Sequence, residues 1–292
     1  MRRLVICVGV QISWPCRRPC VERDLTRMTP TPNSFALGVT AGLDARVARD
    51  LAARCAQCGY DSLWSNDDST SPGLETLAHF AAAAPHLELG VGVLPLHRYR
   101  PARIAAEVAR LGLDPAKLWL GIGSGQLRPQ LDAVRDGVAE LRDLLPHGTR
   151  VVVAAMRPQL CRLGGGVADG VLFNWMPPTQ AARARRWVQE GADHAGVAPP
   201  VAALYVRVAV GPRAAERLRA EEGRYRTIND GHRKHFAALD VPLGGVGVAA
   251  AERRSVLEGL QPYRSAVDLA IVRVLADPDV SSLVAVAEAA AP

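Results

Sequence analysis

Between His86 and Gln126 the chain reads HLELGVGVLPLHRYRPARIAAEVARLGLDPAKLWLGIGSGQ. Leu87–Leu94 and Leu118–Ile122 are apolar runs of buried-strand length. Between them Ile104, Val108 and Leu111 recur at helical spacing on an Ala-rich stretch. Two short buried strands joined by one crossover helix form a parallel β-α-β unit. Gly90 and Gly92 in the first strand, then Gly121, Gly123 and Gly125 in and after the second, keep the C-terminal edge of this unit free of bulk. A flat ligand can approach backbone at such an edge.

The unit repeats from Phe35 onward. Strands are expected at Phe35–Val39, Ser62–Trp64, Leu87–Leu94, Leu118–Ile122, Arg150–Ala154, Gly170–Phe173, Val201–Val210 and Val267–Val274, with helices between them. One of these, Pro158–Gly164, reads as short. Pro177 and Pro178 stand where prolines open a helix. Strict alternation over this length predicts a (β/α)8 TIM barrel spanning residues 35–292, with residues 211–266 a helical insertion between strands seven and eight. A doubly wound sheet is the alternative, but Gly38-Val39-Thr40-Ala41-Gly42 is not the dinucleotide fingerprint it would carry after its first strand. Residues 1–34 do not share the rhythm. They read as a disordered leader or a misassigned start near Met28, or else as an added edge strand at Leu4–Val10.

Charge adds little about partners. The formal charge is +6, but Met1–Pro30 holds six Arg against Glu22 and Asp24. The rest has interspersed signs, which is a solvated surface and not a nucleic-acid footprint. No apolar run approaches the length of a membrane span. Six Cys fit a reducing cytoplasm. Cys16 and Cys20 with Cys55 and Cys58 have the superficial look of a zinc site. Cys55 and Cys58 lie mid-helix among alanines, however, so no metal site is expected.

A barrel places its chemistry after the strand C-termini. There the sequence offers Asp67 and Asp68, a carboxylate pair able to share a proton or simply to cap the next turn. His97 and Arg98 follow strand three, where Arg98 either meets a ligand or forms a rim ion pair. Gly123, Ser124, Gly125 and Gln126 follow strand four, a glycine-rich turn of the kind that can cradle phosphate. Ala155, Met156 and Arg157 follow strand five, with a guanidinium beside a helix start that suits an anionic tail or covers the rim. Asn174, Trp175 and Met176 follow strand six, and an exposed Trp–Met pair there suits stacking on a planar ligand or packing on a second chain. Few side chains can do acid–base work, and no strand-end Lys or GxSxG is present. Such a site favours a redox cofactor that carries the chemistry itself.

With these segments in place, the chain resembles the luciferase-like monooxygenase superfamily, in particular its branch that uses the deazaflavin coenzyme F-420. The likeness runs from about Phe35 to Ala276. It rests on GYDSLWSNDD (Gly59–Asp68), LELGVGVLPLHRYRPARIAAEVARL, KLWLGIGSGQ and Val151–Trp175. It implies the barrel above and a non-proline cis peptide at Gly92-Val93 backing the cofactor ring, with Leu94 beside it. It further implies that Gly123, Ser124 and Gly125 surround the ring's polar edge and that Ala155, Met156 and Arg157 meet the phosphate-bearing tail. Asp67 matches the family's Asp, whereas Asp68 stands where His is common. Gln126 replaces an acidic proton donor of the sugar-phosphate-oxidising relatives, and Met156 and Arg157 replace small residues. These departures point away from sugar-phosphate oxidation. The expected activity is hydride transfer to or from a small organic substrate, with Asp67, Asp68 or His97 assisting proton movement and Gln126 beside them in the catalytic site. FMN as cofactor of a monooxygenase, or a cofactor-free barrel serving as a binding partner, are the alternatives. Homodimers occur among relatives, and the Ala-rich helices with Trp175 or Trp187 are the expected face.

Overall fold

A computed structural model describes residues 34–68 and 70–292. Apart from Ser34, the leader and the Cys16–Cys20 half of the thiol pattern lie outside the described residues. The elements run β1 (Ala36–Val39), α1 (Ala45–Gln57), β2 (Ser62–Ser65), α2 (Gly73–Ala83), β3 (Glu88–Pro95), α3 (Pro101–Arg110), β4 (Leu118–Gly123), α4 (Gln130–Leu144), β5 (Arg150–Ala154) and α5 (Pro158–Val167). They continue β6 (Gly170–Asn174), α6 (Pro178–Ala195), β7 (Val201–Val210), α7 (Ala214–Ile228), α8 (Asp230–Leu239), β8 (Val248–Ala250), α9 (Arg253–Ala266), β9 (Leu269–Val274) and α10 (Val280–Ala290).

Strands β1 to β6 pair in sequence order, β6 pairs β7, β7 pairs β9 and β9 returns to β1, all parallel. This is the expected closed eight-stranded barrel with helices outside and extra helices α7 and α8 after the seventh strand. Beyond the expectation is β8. It pairs with Val208–Val210 of β7, past the point where β6 has ended. Because β9 holds the other edge of Val208, β8 takes the place β6 vacates. Helix α5 also outruns its expected end, crossing Gly164, Gly165 and Gly166 to reach Val167.

Local chemistry explains the boundaries. Asp44 caps α1 by accepting from the Arg46 N–H at 2.8 Å, and Asp279 caps α10 through the Ser282 N–H at 2.9 Å. Pro101, Pro158 and Pro178 open their helices at positions that need no N–H donor. At the bottom of the barrel Asp61, Asp169 and Asp268, each just before a strand, accept the backbone N–H of Phe35, Val151 and Ala202. The carboxylates thus clamp neighbouring strands in register.

Two layers of apolar packing fill the molecule. The outer layer joins strands to helices, and the inner one fills the barrel with Trp64, Trp119, Val152, Leu172, Tyr205 and Ile271. Below the inner layer, Trp119 donates to Glu88 at 2.8 Å and Glu88 pairs with Arg150 at 3.0 Å, so the floor is charged but neutralised. Side chains above that layer face the open end.

Candidate functional site

At the mouth the strand ends present small residues on one side. The Gly92–Val93 peptide is cis and falls where the β3–β4 register shifts. Gly92, Val93 and Ala154 keep partial exposure. A Cβ on Gly123 would reach only Val93 and Ala154, at 3.4 and 3.7 Å. A Cβ on Gly92 would fall 2.5 Å from Tyr205 Oη. Gly92, Val93, Gly123 and Ala154 therefore make a low shelf, bordered by Tyr205 reaching across from β7.

The other side of the mouth is polar. On β7 and β9 the inward positions Arg207 and Arg273 are directly paired in register, and both are buried. Arg273 donates from Nε to Asn66 Oδ1 at 3.1 Å, from Nη1 to the Val274 carbonyl at 2.9 Å and from Nη2 to Thr40 Oγ1 at 2.8 Å. Arg207 donates from Nη1 to Asn174 Oδ1, and its guanidinium lies 4.0 Å from the Trp175 ring centroid. Burial pushes the Arg207 pKa down to about 10, and the neighbouring Arg273 charge adds to the shift. Tyr205 Oη, Arg207 Nε and Trp175 Nε1 are buried without a hydrogen-bond partner.

Several expected site residues sit elsewhere. Asp67 and Asp68 do not share a proton. Asp67 accepts from the Gly73 N–H at 3.0 Å and Tyr99 Oη at 3.2 Å and pairs with Arg98, its own side chain wholly buried. Asp68 instead closes its own loop, accepting from the Thr70 N–H, the Thr70 hydroxyl and the Ser71 N–H at 2.7, 2.8 and 2.8 Å. Burial raises the Asp67 pKa against opposition from Gly73 and Arg98. Burial also works upward on Asp68, but the hydrogen bonds from Thr70 and Ser71 outweigh it and its pKa is lowered. Opposite shifts on adjacent carboxylates follow from these separate partners.

Trp175 and Met176 are buried, not exposed. Trp175 adopts φ 51° where β6 ends, and its ring lies against Tyr225 and Phe236 of the insertion at centroid distances of 5.1 and 5.5 Å. His235 Nε2–H donates to the Trp175 carbonyl at 2.7 Å. Trp175 therefore anchors α7 and α8 and is unavailable to stack on a ligand or a second chain. Leu94 and Ala155 are buried in the outer layer and do not face the mouth. Ser124 is buried and receives a hydrogen bond from Gln130 Nε2 at 2.9 Å. His97, Gly125, Gln126 and Arg157 are exposed along the rim with half-buried Met156, and Arg157 precedes the first residue of α5 as expected. Asn174 does reach the mouth.

Reading only the loops after each strand missed Tyr205, Arg207 and Arg273. The signal was inside the strands: VAALYVRVAV and LAIVRV each carry one Arg within an otherwise apolar run. A lone charge in a buried strand is expensive unless something meets it.

Among the described residues no three His, Cys, Asp or Glu side chains cluster to hold a metal, and no helix is long and apolar enough to cross a membrane. Cys55 is buried on α1 and its thiol pKa is pushed up by burial.

The family described as luciferase-like monooxygenase matches residues 27–144. No curated protein matches the chain. Solved structures do. An F-420-dependent secondary alcohol dehydrogenase, in complex with an F-420–acetone adduct, is 16% identical over 89% of this chain and 100% of that one, with a TM-score of 0.71. The coenzyme F-420-dependent tetrahydromethanopterin reductase of Methanopyrus kandleri is 14% identical over 88% and 96%, with a TM-score of 0.65. The oxygenating constituent of 3,6-diketocamphane monooxygenase from Pseudomonas putida, in complex with FMN, is 15% identical over 89% and 98%, with a TM-score of 0.64. The chain shares the barrel of these enzymes, and residues 27–144 carry the luciferase-like pattern.

Proposed function

We propose that this chain is an oxidoreductase of the luciferase-like superfamily that transfers a hydride between coenzyme F-420 and a small organic substrate. The observation that carries the reading is the shelf of Gly92, Val93, Gly123 and Ala154, free of large side chains, with Gly92, Val93 and Ala154 partly exposed at the mouth. A planar ring fits against such a shelf. When bound, the deazaflavin supplies two-electron chemistry at C5, and the protein supplies position and electrostatics.

The chain's own residues have distinct parts in this reading. Gly92 and Val93 back the ring, and Gly123 leaves its edge clear. Asn174, held by Arg207, presents an amide beside it. Exposed Arg157 meets an anionic tail at the rim, where its guanidinium is hydrated until the anion arrives. His97, also exposed, stands where an imidazole can pass a proton between site and solvent, and Gln126 beside it offers a carboxamide for hydrogen bonding only. Asp67 is a positioning residue, since both its oxygens are committed to α2, Tyr99 and Arg98.

A second reading keeps the barrel but takes reduced FMN and oxygen. It draws on the monooxygenase description of the family and on the FMN-bound camphane enzyme, whose TM-score is close to that of the F-420 reductase. Titration of the purified chain with oxidised F-420 and with FMN, followed by fluorescence, separates the two. F-420 is expected to bind at least tenfold more tightly. FMN binding without F-420 binding selects the monooxygenase, and binding of neither leaves a cofactor-free barrel.

A further inference from the structure

We propose that Arg207 and Arg273 seat the acidic group of the substrate, which is therefore an organic anion such as a carboxylate or sulfonate. The proposal names a substrate class for the site just described and rests on that reading for the identity of the site, though the seat itself is argued from the barrel alone.

Two guanidinium groups lie side by side on adjacent strands, 2% and 4% exposed. Among the described residues neither is ion-paired: their partners are the amide oxygens of Asn174 and Asn66, a hydroxyl and a backbone carbonyl. The floor of the same barrel shows the ordinary solution, where half-buried Arg150 meets Glu88. Placing two like charges in adjacent buried positions with no carboxylate in contact is unfavourable on both counts, desolvation and repulsion; Glu221 favours their charge only from a distance and is itself paired with Arg224. Stacking on Trp175 and Tyr225, at 4.0 and 5.2 Å, offsets part of this for Arg207 only.

The unspent donors converge on the same region. Arg207 Nε has no partner, nor does Tyr205 Oη, two residues earlier on the same inward face. An oxyanion supplies what all of these lack, because it accepts several hydrogen bonds and neutralises the pair. Thr40, which holds Arg273, is itself exposed, so the pair borders the open end.

Position separates this seat from a cofactor's phosphate. Tyr205 links the arginine pair to Gly92, the residue that begins the shelf, so the anion lies on the β7–β9 side of the mouth, next to the Gly92 end of the shelf. Arg157, the candidate for a phosphate-bearing tail, stands at the start of α5 on the rim.

The test is calorimetric titration of the full chain, without cofactor and at fixed ionic strength, with benzoate, benzenesulfonate, benzamide and inorganic phosphate. The two acids are expected to bind at least tenfold more tightly than benzamide. R207Q and R273Q should each erase that preference, and R157Q should retain it. Benzamide affinity adds a check that a merely structural arginine would fail: in the folded variants it should stay within about twofold of wild type while acid binding falls. If a variant does not fold, the wild-type melt decides, because Tm should rise more with sodium benzoate than with sodium chloride at equal ionic strength. Equal binding of acid and amide, or binding of phosphate alone, overturns the proposal. So does a preference that survives R207Q and vanishes in R157Q. Absent F-420 and FMN binding with the acid preference intact would sink the redox reading only, and the reverse result would sink the anion seat only.

Discussion

Asp67 illustrates how one residue can be conspicuous in sequence yet serve architecture. Its carboxylate caps the start of α2 through Gly73, receives the Tyr99 hydroxyl and neutralises Arg98. Hydrogen bonds to a charged group are each worth about 1.5–3 kcal/mol, so D67A should lower stability by roughly 2 kcal/mol or more in a urea titration. D67N keeps an acceptor for Gly73 and should cost less. A second residue-scale consequence concerns acid. Burial, with His235 and Arg207 beside it, pushes the His232 pKa down to about 4. The unfolded chain takes that proton near pH 6.5, so the stability conferred by neutral His232 is full above that pH and is lost as pH falls from about 6.5 toward 4. His235 is lowered in the same direction, again by burial. Stability measured by denaturant from pH 7.5 to 4.5 should fall with acid, and H232Q should flatten the decline without abolishing it.

At the scale of the element, the α5–α6 contact explains why a run of three glycines does not end a helix. Each glycine weakens a helix interior by about 1 kcal/mol relative to alanine. In α5 they permit backbone contact with α6 that no larger residue allows. A Cβ on Gly191 of α6 would overlap the Arg162 carbonyl, and one on Gly165 would overlap that of Val188. G191A should therefore destabilise the protein by about 1–3 kcal/mol despite its better helix propensity, measurable as a lower denaturant midpoint. This is also where sequence reading reached its limit. Propensity marked Gly164 as a stop because the reason to continue lies in another helix. The fate of Trp175 was hidden in the same way, since Tyr225 and Phe236, which cover it, come some fifty to sixty residues later. Strand positions were legible because apolar runs and their spacing are local. Leu94 and Ala155 were misplaced for a subtler reason: the side on which a residue falls depends on strand alternation and on the β3 irregularity, neither of which a loop-by-loop reading tracks. Arg207 and Arg273 were legible in principle as charges inside buried strands.

For the molecule as a whole, Trp175 ties the insertion to the barrel together with the Arg217–Asp277 ion pair and the pairing of β8 with β7. W175A removes the ring that joins β6 to α7 and α8 and on which Arg207 stacks. Hydrogen exchange should then show protection lost across residues 214–250 while β1 to β5 keep theirs, the pattern of a locally opening unit. The short β8 gives this coupling a further meaning. The sixth stave of the cask stops early, and its upper length is replaced by chain that arrives only after two additional helices have been laid down. The wall beside the arginine pair is thus completed late in the sequence, by residues outside the regular repeat. Lengthening or trimming those helices would reshape the chamber's side directly while the eightfold frame stays untouched.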